Sequence, residues 1–440
     1  MSRVASFGRR EIIAYGAFGL PLAFAALPLY VHVPRLYAGE LGLPLAIVGG
    51  VLLAARIVDA ITDPLIGWAA DRIAARRSWW LAAAALLLGL SLPALLAPPA
   101  GAGAAWLLGM LVLVSLAYSV ATIVYGAWGA EVAPTPELRT RFVASREGFG
   151  LAGVVLAAAL PGVLAGDGGE AGGLARLVWV FVPLLLACAA WTLICAPAAP
   201  PLRAQPLPLL RGLSDALRDA GFARLLAVFA VNGIAAAVPS ATVLFYVADV
   251  LQADERVAGA FLVLYFAAAA ASLPLWVAVS RRIGKRRAWL AGMALAIVVF
   301  AWAGVLGSGD LFAYGLICVL SGIALGADLS LPPSLLADLL ARAEDQRPGS
   351  ARAGACFGWW SFVTKANLAL AAGLALPLLA LLGYAPGARD TEALTGLAAV
   401  YAGLPVVLKL GAVALLWRWR QEIEPAAQAS PETALKEVRS

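Results

Sequence analysis

Histidine is almost absent from this chain: His32 is the only one in 440 residues. A zinc cluster or a histidine-based catalytic triad would have to be assembled around that one imidazole, and a solvated or interfacial side chain is the simpler expectation. The four cysteines, Cys188, Cys195, Cys318 and Cys356, lie in or beside apolar runs with no CxxC spacing, so neither a disulfide framework nor a cysteine metal site is expected. Charge is scarce as well. Only 13% of residues are Asp, Glu, Lys or Arg, against roughly 25% in an ordinary soluble domain. No polar stretch is long enough for a sizeable soluble domain, and no nucleophile stands at catalytic spacing from a base. An enzyme is therefore not expected, and no cofactor is implied.

What the chain has in abundance is apolar sequence: 62% of residues are hydrophobic and the mean hydropathy is +0.88. A helix needs about 20 apolar residues to cross roughly 30 Å of hydrocarbon, so this is the composition of an all-α integral membrane protein with many spans. The net charge of +6 does not point to nucleic acid, because the arginines sit between hydrophobic segments and not on one continuous face. The first apolar run, after Arg9, Arg10 and Glu11, is too long for a signal-peptide core and is expected to be a retained helix.

Apolar windows punctuated by turn residues predict twelve spans, at 12–37, 44–71, 79–98, 103–130, 143–165, 174–196, 222–248, 257–280, 288–307, 311–340, 353–383 and 393–418. A Pro-rich, Arg-bearing linker divides them into two six-helix bundles, 1–197 and 222–420, joined by residues 198–221 and followed by a tail, 421–440. With the N-terminus inside, 24 of the 32 Lys and Arg fall on cytoplasmic segments and 4 on outer ones, which predicts both termini in the cytoplasm. A shift of 210 residues lays "DPLIGWAADRIAARRSW" over "LPLWVAVSRRIGKRRAW", matching Pro64 to Pro274, Arg72 to Arg282, Arg76 to Arg286, Arg77 to Arg287 and Trp79 to Trp289. Parallel six-helix repeats are a transporter signature, with a substrate site near the midplane between the halves.

Against that apolar background stands "ARIVDAITDPLIGWAADR", residues 55–72. At 100° per residue, Arg56, Asp59 and Asp63 share about 60° of one helix face. Asp59 is 12 residues from the inner end of its span, Lys365 is 12 into the eleventh, and Asp328 is 12 from the end of the tenth. Each therefore lies about 18 Å deep. A charge at that depth costs at least about 2.5 kcal/mol on insertion scales and must face a partner or water. A static ion pair fixing helix packing is the plainer explanation, but the repeat places Ala269 and Leu273 where Asp59 and Asp63 stand, so the scaffold forms in the second half without them. Two carboxylates at i, i+4 repel unless a cation intervenes, and Na⁺, a shared proton or the Lys365 ammonium would each serve. Thr62 offers a further hydroxyl, and Pro64 frees the carbonyl of Ala60.

These residues resemble the signature of the glycoside-pentoside-hexuronide:cation symporters, the melibiose permease group of the major facilitator superfamily. Further matches are "YGAWGAEV" at 125–132, "RTRFVASREGFG" at 139–150, "LLADLL" at 335–340 and "CFGWWSFVTKANLALAAG" at 356–373. The resemblance implies a major facilitator fold with Asp59 and Asp63 as paired cation-site aspartates and Lys365 as the lysine of the eleventh helix. Thr62 stands in place of an asparagine that helps select Na⁺, and Ala121 replaces a threonine ligand, which leaves both H⁺ and Na⁺ open. The family's sugar-gripping aspartates are replaced here by Pro21 and Val124, while Trp128 matches a tryptophan beside the sugar and Arg141 a fifth-helix arginine. Asp71, Arg72, Arg76 and Arg77 resemble the superfamily's loop motif, which implies a gating role.

Tyr30, Tyr118, Tyr125, Asn232, Asp328, Trp359 and Trp360 complete the candidate solute pocket, and Arg146 and Glu147 are candidate inner-gate partners. The expectation is a monomeric, multi-pass transporter of the inner (plasma) membrane, in contact with lipid and a small-molecule solute and with no nucleic acid. It would symport a sugar or glycoside with H⁺ or Na⁺. An amphiphile such as a lysolipid is the alternative cargo, motivated by the polar ligands lost at Pro21 and Val124. A non-transporting membrane sensor is a remote third possibility.

Overall fold

The computed structural model describes residues 7–27, 29, 32, 33, 36–72, 77–164, 169–198, 208–346 and 352–424. Every regular element among them is helical. Helix α1 (Arg9–Ala17) begins three residues before the first predicted span, α2 (Gly19–Leu27) lies within it, and a turn at Phe18 separates the two. They are followed by α3 (Leu45–Arg72), α4 (Arg77–Leu96), α5 (Ala104–Val132), α6 (Pro136–Leu164) and α7 (Gly169–Cys195). After the linker come α8 (Leu209–Arg218), α9 (Ala220–Phe245), α10 (Glu255–Ile283), α11 (Lys285–Ala303), α12 (Leu311–Gln346), α13 (Ala353–Leu381), α14 (Thr391–Ala398) and α15 (Leu404–Arg418).

Nine helical segments among the described residues are long and apolar enough to cross a membrane. Helices α3 and α6, of 28 and 29 residues, stand outside the nine. Each carries charge along its length: Arg56, Asp59 and Asp63 in α3, Arg139, Arg141, Arg146 and Glu147 in α6. Helix α6 begins seven residues before the predicted span, because its polar first turns read as loop. Pro136 opens it where a missing N–H costs nothing, and Thr135 Oγ1 accepts from Leu138 N at 3.3 Å. The linker likewise holds a helix, α8, and Asp219 caps the next one by accepting from Phe222 N at 2.8 Å.

Large apolar side chains such as Leu90, Trp179, Ile194, Leu244, Phe312 and Val407 are exposed on the outside, as lipid-facing surface requires. Several helix pairs join the first-half helices to the second, two of them as close seams. One packs α6 on α10 through Ala144, Leu151, Ala269 and Leu273. The other packs α3 on α13, where Gly67, Gly354 and Gly358 bring two backbones together. A Cβ on Gly358 would stand 2.7 Å from the carbonyl oxygen of Asp63, and one on Gly67 would collide with that of Gly354. This close seam carries the carboxylate pair.

Candidate functional site

Asp59 and Asp63 lie one turn apart on α3, and both are buried. Across the seam, α13 presents Ser361 and Lys365 with the same four-residue spacing. Lys365 Nζ donates to Asp63 Oδ1 at 3.0 Å and to Ser119 Oγ of α5 at 2.7 Å, and stands 3.5 Å from Asp59 Oδ2. Ser361 Oγ donates to Asp63 Oδ2 at 2.8 Å. Asp63 is thus satisfied at both oxygens. Asp59 is not: its Oδ1 is buried with no hydrogen-bond partner among the described residues. Beside it lies a cavity of about 30 Å³ lined by Arg56, Ser115, Tyr118 and Lys365 among others, enough for a water-sized guest. A buried carboxylate oxygen without a donor is costly, so this corner favours a proton or a small cation arriving from the cavity. Thr62 is not part of it, because its hydroxyl is turned back to the carbonyl of Asp59 at 3.4 Å.

Matched depth does not bring Asp328 to this site. Asp328 Oδ2 accepts from Lys409 Nζ at 2.8 Å, and its Oδ1 accepts from Asn232 Nδ2 at 3.0 Å and Trp289 Nε1 at 2.8 Å. Lys409 also donates to Asn232 Oδ1 at 2.8 Å. The expected solute ligands Asp328 and Asn232 therefore belong to a separate buried network tying α9, α11, α12 and α15. Counting residues along a span gives depth but not the direction in which the helix face points.

The aromatic candidates also disperse. Trp128 is buried in the first-half core and donates Nε1 to the carbonyl of Pro197 at 3.0 Å. Tyr125 is buried against Tyr15 and Phe18, its hydroxyl donating to the carbonyl of Tyr15. Trp359 Nε1 donates to the carbonyl of Leu213 in α8 at 3.3 Å, and Trp360 stacks on Phe229 at 3.8 Å. Arg141 lines a groove between α1, α6 and α10 with Arg281 at the same end, apart from the carboxylate pair. None of these five residues, nor Asn232 or Asp328, lines the cavity beside Asp59; Tyr118 does, and Tyr30 falls outside the described residues.

Asp71 and Arg77 of the loop motif lie in a cluster of ion pairs and hydrogen bonds. Asp71 accepts from the backbone N–H groups of Gly354 and Ala355, both at 2.8 Å, where α13 begins. A carboxylate on a helix N-terminus is favourable by charge and by hydrogen bonding. Arg77 binds Asp71 at 2.9 Å and Glu131 at 2.7 Å. Nearby, Asp338 pairs with Arg139 at 3.0 Å and with Lys285 at 2.6 Å, and Thr140 and Ser334 share a hydrogen bond of 2.8 Å. These contacts tie the first-half helices to the second at the end where α3 meets the start of α13. Arg72 lies over the Trp68 ring, and Arg76 falls outside the described residues. Arg146 and Glu147 pair with each other at 2.6 Å, next to each other on α6.

The sequence pattern of the family described as MFS/sugar transport protein matches residues 12–422. The chain is 30% identical over 274 residues to the inner membrane symporter YicJ of Escherichia coli strain K12, an alignment covering 58% of this chain and 57% of that relative. The chain thus spans just over half the length of the curated relative it matches. Among solved structures it resembles a bacterial homologue of the iron transporter ferroportin in an outward-facing state, with a TM-score of 0.69, 18% identity and coverage of 93% of this chain and 99% of that one. It also resembles the human organic anion transporter MFSD10, with a TM-score of 0.69, 17% identity and coverage of 93% and 100%. At such identities the likeness establishes the shared fold.

Proposed function

The chain belongs to the family of MFS/sugar transport proteins, and from that premise, a multi-pass transporter of the inner membrane, we propose that it symports a sugar or glycoside with H⁺ or Na⁺. The observation that carries the coupling is the ammonium of Lys365 shared unequally between Asp63 and Asp59, beside a bare Asp59 Oδ1 and a cavity. A cation reaching Asp59 neutralises one carboxylate and competes with Lys365 for the pair. That weakens the polar tie between α13 and α3 on the seam that has to open. Coupling follows because the cation binds the two access states with different affinity.

The same reading takes the chain as two six-helix halves, 1–197 and 222–420, that cross the membrane twelve times with both termini cytoplasmic. The ion pairs around Asp71 and Asp338 then close the cytoplasmic side, and access alternates when they part. The amphiphile alternative draws on the groove beside Arg141, apolar along Ala270, Leu273 and Val277 and basic at Arg141 and Arg281. The test is solute-induced H⁺ or Na⁺ flux in proteoliposomes across a panel of sugars, glycosides, uronides and lysolipids. Sugar-induced ion movement that disappears in Asp59→Asn is expected. Solute accumulation indifferent to both ion gradients would remove the coupling proposal, and flux with lysolipid alone would select the amphiphile.

A further inference from the structure

Beneath the turn joining α10 to α11 lies a cavity of about 880 Å³ with six cationic residues in its lining, Arg281, Lys285, Arg286, Arg287, Arg342 and Arg420. Three carboxylates share it. Glu137 is paired with Arg281, and Asp338 with Lys285 and Arg139. Only Glu424 is left for the remaining four guanidiniums. Its side chain sits on the N-terminus of α11, accepting from Lys285 N at 3.2 Å and from Arg286 N at 3.2 Å. Gly284, at φ +85°, forms the turn that exposes these two N–H groups. The nearest guanidinium does not reach the carboxylate well: Arg286 Nε stands 3.8 Å from Glu424 Oε2. Arg286 Nε and Nη1 are both buried with no hydrogen-bond acceptor among the described residues.

A topological excess of arginine explains the sign of this surface. It does not explain the two buried guanidinium nitrogens of Arg286, Nε and Nη1, which lack an acceptor among the described residues beside that carboxylate. The repeat sharpens the point. At the 210-residue offset Asp71 corresponds to Arg281, so the position that supplies an acid to Arg77 in the first half supplies another cation in the second. The site holds more donors and more positive charge than one carboxylate satisfies.

We propose that this basin is a binding site for a phosphate monoester group, and that Glu424 is an internal stand-in which the phosphate displaces from the N-terminus of α11. A phosphate carries about −1.5 to −2 charge with three strong acceptor oxygens. It would take the two N–H groups that Glu424 holds and add the Arg286 donors that Glu424 misses. Lys285 links the site to the gate, since it gives its backbone N–H to the anion and its ammonium to Asp338. The phosphate would come from a soluble metabolite or from a lipid headgroup.

The experiment follows the thermal midpoint of the full chain in phosphatidylcholine nanodiscs, titrated with inorganic phosphate against sodium chloride at matched ionic strength. A saturable rise with phosphate is expected. Glu424→Gln should lower the half-saturating concentration several-fold by weakening the internal competitor, and Arg286→Gln should raise it at least tenfold. Should Arg286→Gln fold poorly, the gain in Glu424→Gln alone decides. Nanodiscs containing phosphatidic acid separate the sources: a midpoint already raised, with no further response to phosphate, assigns the site to lipid, and an unchanged phosphate response assigns it to a soluble ligand. No rise beyond chloride in either disc, or a rise that neither substitution alters, overturns the proposal.

Discussion

Lys365 Nζ stands 3.0 Å from Asp63 and 3.5 Å from Asp59, two carboxylates one turn apart on the facing helix. The inequality divides their work. Asp63, with no exposed surface and bonds from both Lys365 and Ser361, holds the seam between α3 and α13. Asp59, with one oxygen that has no hydrogen-bond partner among the described residues and lies beside a cavity, is the carboxylate the proposed cation would reach.

The two aspartates should therefore fail differently. Asp63→Asn removes the nearer anion from a largely but not fully buried ammonium, and a clear fall in thermal midpoint is expected, below the roughly 3–5 kcal/mol of a fully buried pair. Asp59→Asn leaves the Asp63 pair standing, so the protein should fold, admit solute downhill and lose uphill accumulation. Thermal denaturation alongside counterflow and gradient-driven uptake in vesicles separates the two effects. Equal stability losses with uptake intact in both variants would refute the division of roles.

Glycine at 358 is a second point of control. A Cβ there would stand 2.7 Å from the carbonyl of Asp63, against backbone and not a yielding side chain. Gly358→Ala should push α13 from α3 and populate the state in which the gate is open. Thr140 and Ser334, buried and hydrogen-bonded at 2.8 Å across the gate, report on it. A cysteine introduced at Ser334 should react with a water-soluble maleimide faster in the Gly358→Ala background. An unchanged rate would mean that the helices absorb the methyl without parting.

The parts of this arrangement that could be read in the sequence are those set by local periodicity. A four-residue spacing puts Asp59 and Asp63 on one face, and a charge at mid-span implies a partner, so the pairing with Lys365 was accessible before any coordinates. Helix rotation was not. Asp328 lies at the same counted depth, yet its face turns to Lys409, which as one lysine in an apolar span gave no sign of its partner. Arg139 and Asp338, 199 residues apart, meet only through the packing of the two halves. Residue type points to Tyr125, Trp359 and Trp360 and the family resemblance to Trp128, yet burial places Trp128 and Tyr125 in the core. Polar first turns hid the start of α6 for the same reason that they cap it.

Asp338 gathers two buried cations, Arg139 from the first half and Lys285 from the second. Asp338→Asn should leave both without an anion and open the gate, since each cation then gains by reaching water. The expected outcome is a lower thermal midpoint together with faster labelling of a cysteine at Ser334. Restoring an acid one residue type away, with Asp338→Glu, should recover most of both. If Asp338→Asn labels no faster, the pair stabilises the halves without gating them.

The network of Asp328 and Lys409 calls for the opposite result. It ties four second-half helices, shares no residue with the Asp59 and Asp63 site, and satisfies both oxygens of Asp328. Its work is to hold those helices as one body. Asp328→Leu alone strands a buried ammonium and should cost about 3–5 kcal/mol. Adding Lys409→Met removes the stranded charge, and the pair replaced by packed apolar side chains should regain most of that loss. The recovery will fall short where Asn232 and Trp289 lose their acceptor, a deficit of about 1–3 kcal/mol. Throughout, the number of cations moved per solute should not change. A double variant as stable as the parent but altered in that ratio would mean that Asp328 takes part in coupling.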